Sequence, residues 1–213
     1  MEIIIIGGGA AGMLAAIAAS KNKKNIVTIV EKNEKLGKKL FISGKGRCNV
    51  TNNCDENEFF KNIVTNSKFI YSAFNTFSNK DLKKLIEDNG CPLKIERGNR
   101  VFPISDKSYD VIDALKKALK SNKVRVLLNN EVKSIKKTTS DRFELNVREL
   151  KDDKIKKIVA DKVIVATGGL SYDKTGSTGD GYRFAKDFKI DVKDTEPSLV
   201  PLNVAESGEC KEM

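Results

Sequence analysis

Histidine is absent from this sequence. No imidazole can therefore act within the chain as a general base, complete a nucleophilic triad or ligate a metal. Cysteine is scarce and irregular. Cys48, Cys54, Cys91 and Cys210 contain no C-x-x-C pair and do not resemble the framework of a secreted disulfide protein. No metal site is expected. No apolar run approaches the roughly 20 residues of a membrane-spanning helix. The apolar start follows Glu2 and has no basic stretch before it, so it is not read as a signal peptide. The expected location is the cytoplasm, with no membrane partner.

What is present is the composition of a soluble globular protein. Of 213 residues, 39% are hydrophobic and 32% charged, enough to bury a sizeable core. The net charge of +10 raises the possibility of an anionic partner. The lysines, however, are scattered in pairs, such as Lys23-Lys24, Lys83-Lys84 and Lys156-Lys157, which reads as solvated surface. Nucleic acid is not an expected partner on this reading.

The informative stretch is the first 31 residues. Ile3 to Ile6 is a β-branched run suited to a parallel strand buried on both faces. Gly7, Gly9 and Gly12 follow as G-x-G-x-x-G. Gly7 permits the tight strand-to-helix turn, Gly9 lets a pyrophosphate approach the backbone, and Gly12 lets the helix lie close to the strand. Ala10, Ala11 and the small apolar residues after them suit that helix, whose open N–H groups would face phosphates. Ile26 to Val30 reads as a second buried strand. Glu31 ends it, 19 residues after Gly12, where an acid can accept hydrogen bonds from ribose hydroxyls. The plain alternative is a glycine turn in an ordinary βαβ unit. Strand, helix, second strand and acid together favour dinucleotide binding.

Residues 32–52 interleave Gly37, Gly44 and Gly46 with Lys38, Lys39, Lys45 and Arg47, then with Ser43, Asn49, Thr51 and Asn52. Together with Lys32, they could run along the rest of a cofactor as long as flavin adenine dinucleotide (FAD). A flexible Gly/Lys loop explains the same composition equally well.

At this point the motifs carry a resemblance. Ile42-Ser-Gly-Lys-Gly-Arg-Cys-Asn-Val-Thr-Asn52, Ala166-Thr-Gly-Gly169 with the glycine-rich turn up to Tyr182, and Pro197-Ser-Leu-Val-Pro201 occur in the same order as in the BaiN/RdsA-type family of NAD(P)/FAD-dependent oxidoreductases. The resemblance runs from residue 1 to about 202. The family usually has glycine where this chain has Lys45 and proline where it has Asp173. It implies an α/β, Rossmann-like FAD/NAD(P)-binding fold with a central parallel sheet. A helical insertion over about 55–120 and a β-meander over about 131–160 interrupt it. The family is longer, so residues 1–202 would form an incomplete FAD-binding domain, with 203–213 a tail or the start of a missing inserted domain. A C-terminal companion segment or a homo-oligomer would then complete the protein.

The resemblance implies FAD as cofactor, NAD(P)H as a transient electron donor and a small organic substrate. It adds Cys48 to the cofactor segment, the backbone of Val132 beside the adenine, and Thr167, Gly168 and Gly169 close to the cofactor. No catalytic residue stands out. Ser43, Tyr172 and Lys174 are possible proton donors, and Ser177, Thr178 and Asp180 either face the site or cap a helix. A flavin disulfide reductase is disfavoured: five residues rather than four separate Cys48 from Cys54, and there is no histidine base. Two other readings stay open, a nucleotide-binding protein acting on RNA and an inactive truncated flavoprotein.

For the rest, the spacing predicts helices over 55–91, one of them capped by Asn79. It also predicts a hairpin over 93–102 turning at Gly98-Asn99, a helix from Ser108 to Leu119, a strand at 124–128, three meander strands over 131–160, a strand from Lys162, and a helix from Asp180 to Phe188.

Overall fold

The structure, a computed structural model, describes residues 1–196. The Pro197–Pro201 motif and residues 203–213 lie outside the described residues. The chain begins as β1 (Glu2–Ile6), α1 (Ala10–Ala19) and β2 (Ile26–Val30). Then come α2 (Lys38–Ile42), a 3-10 turn at Ser43–Gly46, β3 (Thr51–Asn52), α3 (Glu56–Lys61), α4 (Tyr71–Thr76) and α5 (Asn79–Asp88). A hairpin of β4 (Leu93–Glu96) and β5 (Arg100–Pro103) leads to α6 (Ser108–Ser121) and β6 (Arg125–Leu127). The meander β7 (Asn130–Lys137), β8 (Phe143–Glu149) and β9 (Lys154–Ala160) precedes β10 (Lys162–Val165) and α7 (Asp180–Asp187).

The central sheet has the order β10-β1-β2-β6, with every pairing parallel. Ile3 lies opposite Lys162 on one side and Val27 on the other. The side chains of β1 alternate between two cores, as the pleat requires. Ile3 and Ile5 pack with Met13, Ala16 and Ile17 of α1 and with Val111, Leu115, Ala118 and Leu119 of α6. Ile4 and Ile6 pack on the other face against Val132, Leu145 and Val147 of the meander and Phe184 of α7. The architecture is therefore helix, sheet, meander, and the four consecutive isoleucines are the hinge between its two cores. At the far edge, β10 pairs only with β1 among the described residues, and its Ile164 and Val165 are exposed.

Two expectations need correction. Asn79 is not the cap of α5. Ser78 caps it, accepting from the Asp81 backbone N–H while the Asp81 carboxylate accepts from the Ser78 backbone, a reciprocal capping box that outcompetes a cap one residue later. Asn79 instead ties the helix to β3, its Nδ2 donating to the carbonyls of Asn52 (2.7 Å) and Cys54 (2.9 Å). Second, α6 runs two residues beyond Leu119. The aromatics of the helical insertion join neither core. Phe59 and Phe74 stack at 4.2 Å and Phe60 and Tyr71 at 4.5 Å, a satellite cluster apart from both cores.

The 3-10 turn after α2 holds Lys45 in a strained conformation. Gly44 (φ 57) and Lys45 (φ 56) are both left-handed there. Lys45 occupies a conformation that costs a side-chain-bearing residue about 1–2 kcal/mol, where the family usually has glycine. Part of that gain is offset by glycine's greater freedom in the unfolded chain. Lys45→Gly is expected to stabilise the chain by up to about 1 kcal/mol, raising Tm by about 2–4 °C. Lys45→Ala, which removes the charge but not the strain, should give no such rise in the same thermal scan.

Candidate functional site

A cleft of about 510 Å³ opens at the carboxyl ends of β1, β2 and β10. Gly7–Ala11 form its floor, Glu31–Asn33 and Asn130–Val132 one end, and Ala166–Gly168 with Thr175–Ser177 the other side. This is where ligands bind in open parallel sheets, because the strand ends and the helix N-termini all point there.

The floor is the N-terminus of α1. Gly9 caps α1 without a side chain, and no acidic residue sits in the first turn. A Cβ built on Gly9 would meet nothing within 4 Å, so this backbone faces open space. Gly7 and Gly12 have a different task. A Cβ on Gly12 would lie 1.9 Å from the Gly7 carbonyl oxygen, and one on Gly7 (φ 103) would lie 2.5 Å from the Ala166 carbonyl oxygen. These two glycines let helix and strands approach, while Gly9 leaves the cleft open.

Glu31 is buried, 7% exposed, and already well bonded. Its Oε2 accepts from the Gly8 N–H, and its Oε1 accepts from both the backbone N–H and the Nδ2 of Asn33, each at 2.7 Å. The carboxylate is thus locked in place at the cleft's end, with one lone pair, on Oε2, left for a hydroxyl donor. Lys32, next along, spans the cleft. Its Nζ donates to Thr178 Oγ1 (2.7 Å) and pairs with Asp180 Oδ2 (2.8 Å). Burial pushes the Asp180 carboxyl up, but the hydrogen bond and charge of Lys32, with Thr178 and Arg183, outweigh it and hold the group below its usual range. Asn33 Nδ2 to the Thr175 carbonyl (3.1 Å) and Lys39 Nζ to the Ser171 carbonyl (2.7 Å) complete a strap of residues 171–180 across the site.

The cleft brings together Gly7, Gly9, Ala10, Ala11, Glu31, Lys32, Lys39, Ser43, Val132, Thr167 and Gly168 of the expected residues. It does not bring in Gly12, whose role is the helix-strand contact above, nor Gly169. The latter part of the 32–52 stretch also departs. Gly44 turns against the Asn49 backbone, and Gly46 faces open space outside the lining. Arg47 pairs with Glu96 and with Asp106 (2.6 Å) and lies 4.2 Å over the Phe102 ring. The Asn49 amide lies against the carbonyls of Thr51 (3.1 Å) and Val101 (3.2 Å), and assigning its Nδ2 to that side lets it donate to both. Cys48 is fully buried in the α6-side core, where burial pushes its thiol up. That half of the stretch is scaffold joined to β3, β5 and the β4–β5 connection. Of the possible proton donors, Ser43 lines the cleft, whereas Tyr172 (70% exposed) and Lys174 do not.

Sequence reasoning missed Asn33 and Asn130. Asn33 lies two residues beyond the acid, and its two hydrogen bonds to Glu31 depend on a turn that no periodicity announces. Asn130 precedes the meander. Its Oδ1 and the Oγ1 of Thr167 are buried without a hydrogen-bond partner among the described residues, and both residues line the cleft. Unpaired buried acceptors of this kind call for a polar ligand or ordered water. Among the described residues, no three Cys, Asp or Glu side chains come together as a metal site, and no helix is long and apolar enough to cross a membrane.

Residues 1–202 match the family described as the HI0933-like protein Rossmann domain. The chain belongs to this family. Among its curated relatives is a ribosomal RNA dihydrouridine synthase of Haemophilus influenzae, 32% identical over 97% of this chain and 50% of that protein. Another is a 3-dehydro-bile acid delta(4,6)-reductase of Clostridium scindens, 30% identical over 84% of this chain and 41% of that protein. The chain thus spans about half the length, or less, of the curated relatives it matches. Among solved structures, the open conformation of a flavocytochrome c3 fumarate reductase superposes with a TM-score of 0.58. It shares 24% identity over 87% of this chain and 40% of that one. This likeness shows the Rossmann-like fold with its parallel sheet, as the family pattern implied.

Proposed function

We propose that this chain is the FAD-binding part of a FAD-dependent oxidoreductase, one that passes hydride between NAD(P)H, flavin and a small organic substrate. The observation that carries the proposal is the uncapped N-terminus of α1 and the locked Glu31 carboxylate on one cleft, with open space over Gly9. These are the donors and acceptors that a diphosphate and a ribose require. Expected roles follow from position. The first-turn N–H groups of α1 hold the diphosphate and Lys39 adds positive charge. Glu31 accepts from a ribose hydroxyl, Val132 borders the base, and Thr167 and Gly168 bring backbone toward the cofactor. When bound, FAD supplies the two-electron chemistry, and the protein supplies position and field.

The names of the two relatives narrow the substrate class. A dihydrouridine synthase and a delta(4,6)-reductase both imply saturation of a carbon–carbon double bond conjugated to a carbonyl. The same chemistry on an unsaturated carbonyl compound is the reading for this protein, with a cytoplasmic location and a C-terminal companion segment completing the site. A second reading, in which the unsaturated substrate is an RNA base, draws on the H. influenzae relative and the net charge of +10.

The first test is the visible spectrum of the purified chain after FAD is added and excess removed. Near-equimolar FAD, bleached anaerobically by NADPH or NADH, is the expected result. A folded chain that takes up no flavin would overturn the cofactor assignment for this part of the protein. Reoxidation of the bleached flavin by an enone, against an unmodified rRNA transcript, separates the two substrate readings.

A further inference from the structure

We propose that the outer edge of β6 is a docking groove for an extended, acid-flanked peptide segment of a partner protein, which adds there as a further strand. The proposal is independent of the cofactor reading. β6 ends the central sheet and pairs only with β2 among the described residues. The Glu31 N–H donates to the Leu127 carbonyl (2.9 Å), so Leu127 turns its polar backbone toward β2. Backbone direction alternates along a strand, so the neighbouring Val126 turns its N–H and carbonyl outward. Among the described residues, neither group has a hydrogen-bond partner.

A groove of about 560 Å³ runs along this edge. Its floor is aliphatic, made by Leu36, Leu119, Val124, Val126 and Leu128. Its rim is basic. Lys116 and Lys120, one turn apart on α6, join Lys123 and Lys35 around it. The nearby acids are taken, Glu34 by Lys38 and Asp113 by Lys117, each at 3.2 Å. The four rim lysines thus have no acid partner among the described residues. These features select the occupant. Outward backbone groups pair with another extended backbone. An aliphatic floor takes the apolar side chains of alternate residues. Unpaired lysines favour carboxylates at the ends of that segment. A second copy of this chain would bring a net charge of +10 to a basic rim, which opposes self-association there. A nucleic acid would match the charge, but no aromatic ring lines the groove to stack a base, and a phosphate backbone leaves the aliphatic floor uncovered.

The test is a fluorescence-anisotropy titration of the full chain, in dilute buffer, with the labelled peptide Glu-Glu-Val-Thr-Val-Thr-Val-Glu-Glu. Saturable binding is expected, and none by the peptide with lysine in place of every glutamate. Combining Lys120→Gln with Lys123→Gln should weaken binding by about fivefold or more, the combined effect of two exposed charge pairs. Both lysines are exposed, so Tm and flavin uptake should not change. Backbone pairing is tested in the peptide itself. Along a strand the amides of the valines point to one side and those of the threonines to the other. N-methylation of the set that faces β6 should cost about tenfold or more, and of the other set about twofold or less. Absence of saturable binding, equal effects of the two methylations, or full affinity in the lysine variant would each overturn the proposal. Tighter binding of poly(U) that is lost in the same variant would overturn it in favour of a nucleic acid.

Discussion

Gly12→Ala is expected to abolish flavin uptake and to lower Tm by about 5–10 °C. The added Cβ would sit 1.9 Å from the Gly7 carbonyl oxygen and 3.0 Å from its carbon, both backbone atoms that no rotamer change can move. Relief requires α1 to shift away from β1. Overpacking of a tight contact costs about 1–3 kcal/mol, and about 3 kcal/mol corresponds to that fall in Tm for a domain of this size. The shift would also misdirect the first-turn N–H groups. Gly9→Ala is the matched control. Its Cβ meets nothing within 4 Å and its φ of −78° suits any residue, so stability should change by less than about 0.5 kcal/mol. Its methyl group projects into the cleft, so FAD affinity should still fall by about tenfold or more. Thermal scans and flavin titrations on the two variants separate the glycine that builds the site from the glycine that leaves room in it. Equal loss of stability in both would refute this division.

Glu31→Ala should have the second large effect, on stability and binding together. The carboxylate accepts three N–H bonds from Gly8 and Asn33 in a position 7% exposed. A buried donor left without a partner costs about 1–3 kcal/mol. Water entering the vacated space offsets part of that, so about 2–4 kcal/mol is the expected loss in urea unfolding. FAD affinity should drop by about a hundredfold. Glu31→Gln keeps one oxygen but turns an NH₂ toward either Gly8 or Asn33. It should therefore fall between the two and narrow the preference for ADP over 2′-deoxy-ADP. Unchanged ribose discrimination in Glu31→Gln would show that the acid only braces the loop.

The parallel core was legible because its signals are local. Four β-branched residues, the glycine spacing and the acid at the strand end each follow from backbone sterics over a few residues, and the structure places them as those sterics require. The meander was legible for the same reason, through three alternating runs joined by short turns. The cap of α5 was missed by one residue because Ser78 and Asn79 are both good caps, and the choice depends on Asp81. The division of residues 32–52 was not legible at all. Lys39, Ser43, Arg47 and Asn49 look equally suited to a cofactor in the sequence. Only the distant Glu96, Asp106 and Val101 draw the last two away from the cleft. Asn33 and Asn130 were invisible because their value lies in which atoms they leave paired or unpaired.

The open edge of the central sheet also governs how the chain behaves in solution. Among the described residues, β10 has an unpaired backbone edge flanked by exposed Ile164 and Val165, a template on which a strand of another molecule can dock. A net charge of +10 on every copy opposes that encounter by mutual repulsion. Added salt screens the repulsion, since the Debye length shrinks from about 30 Å at 0.01 M to about 3 Å at 1 M. It leaves the apolar edge as attractive as before. Salt thus pushes two processes in opposite directions, loosening the hold on an anionic ligand while promoting edge-to-edge association. The colloidal stability of this chain is therefore greatest in the dilute buffers that also favour its ligands.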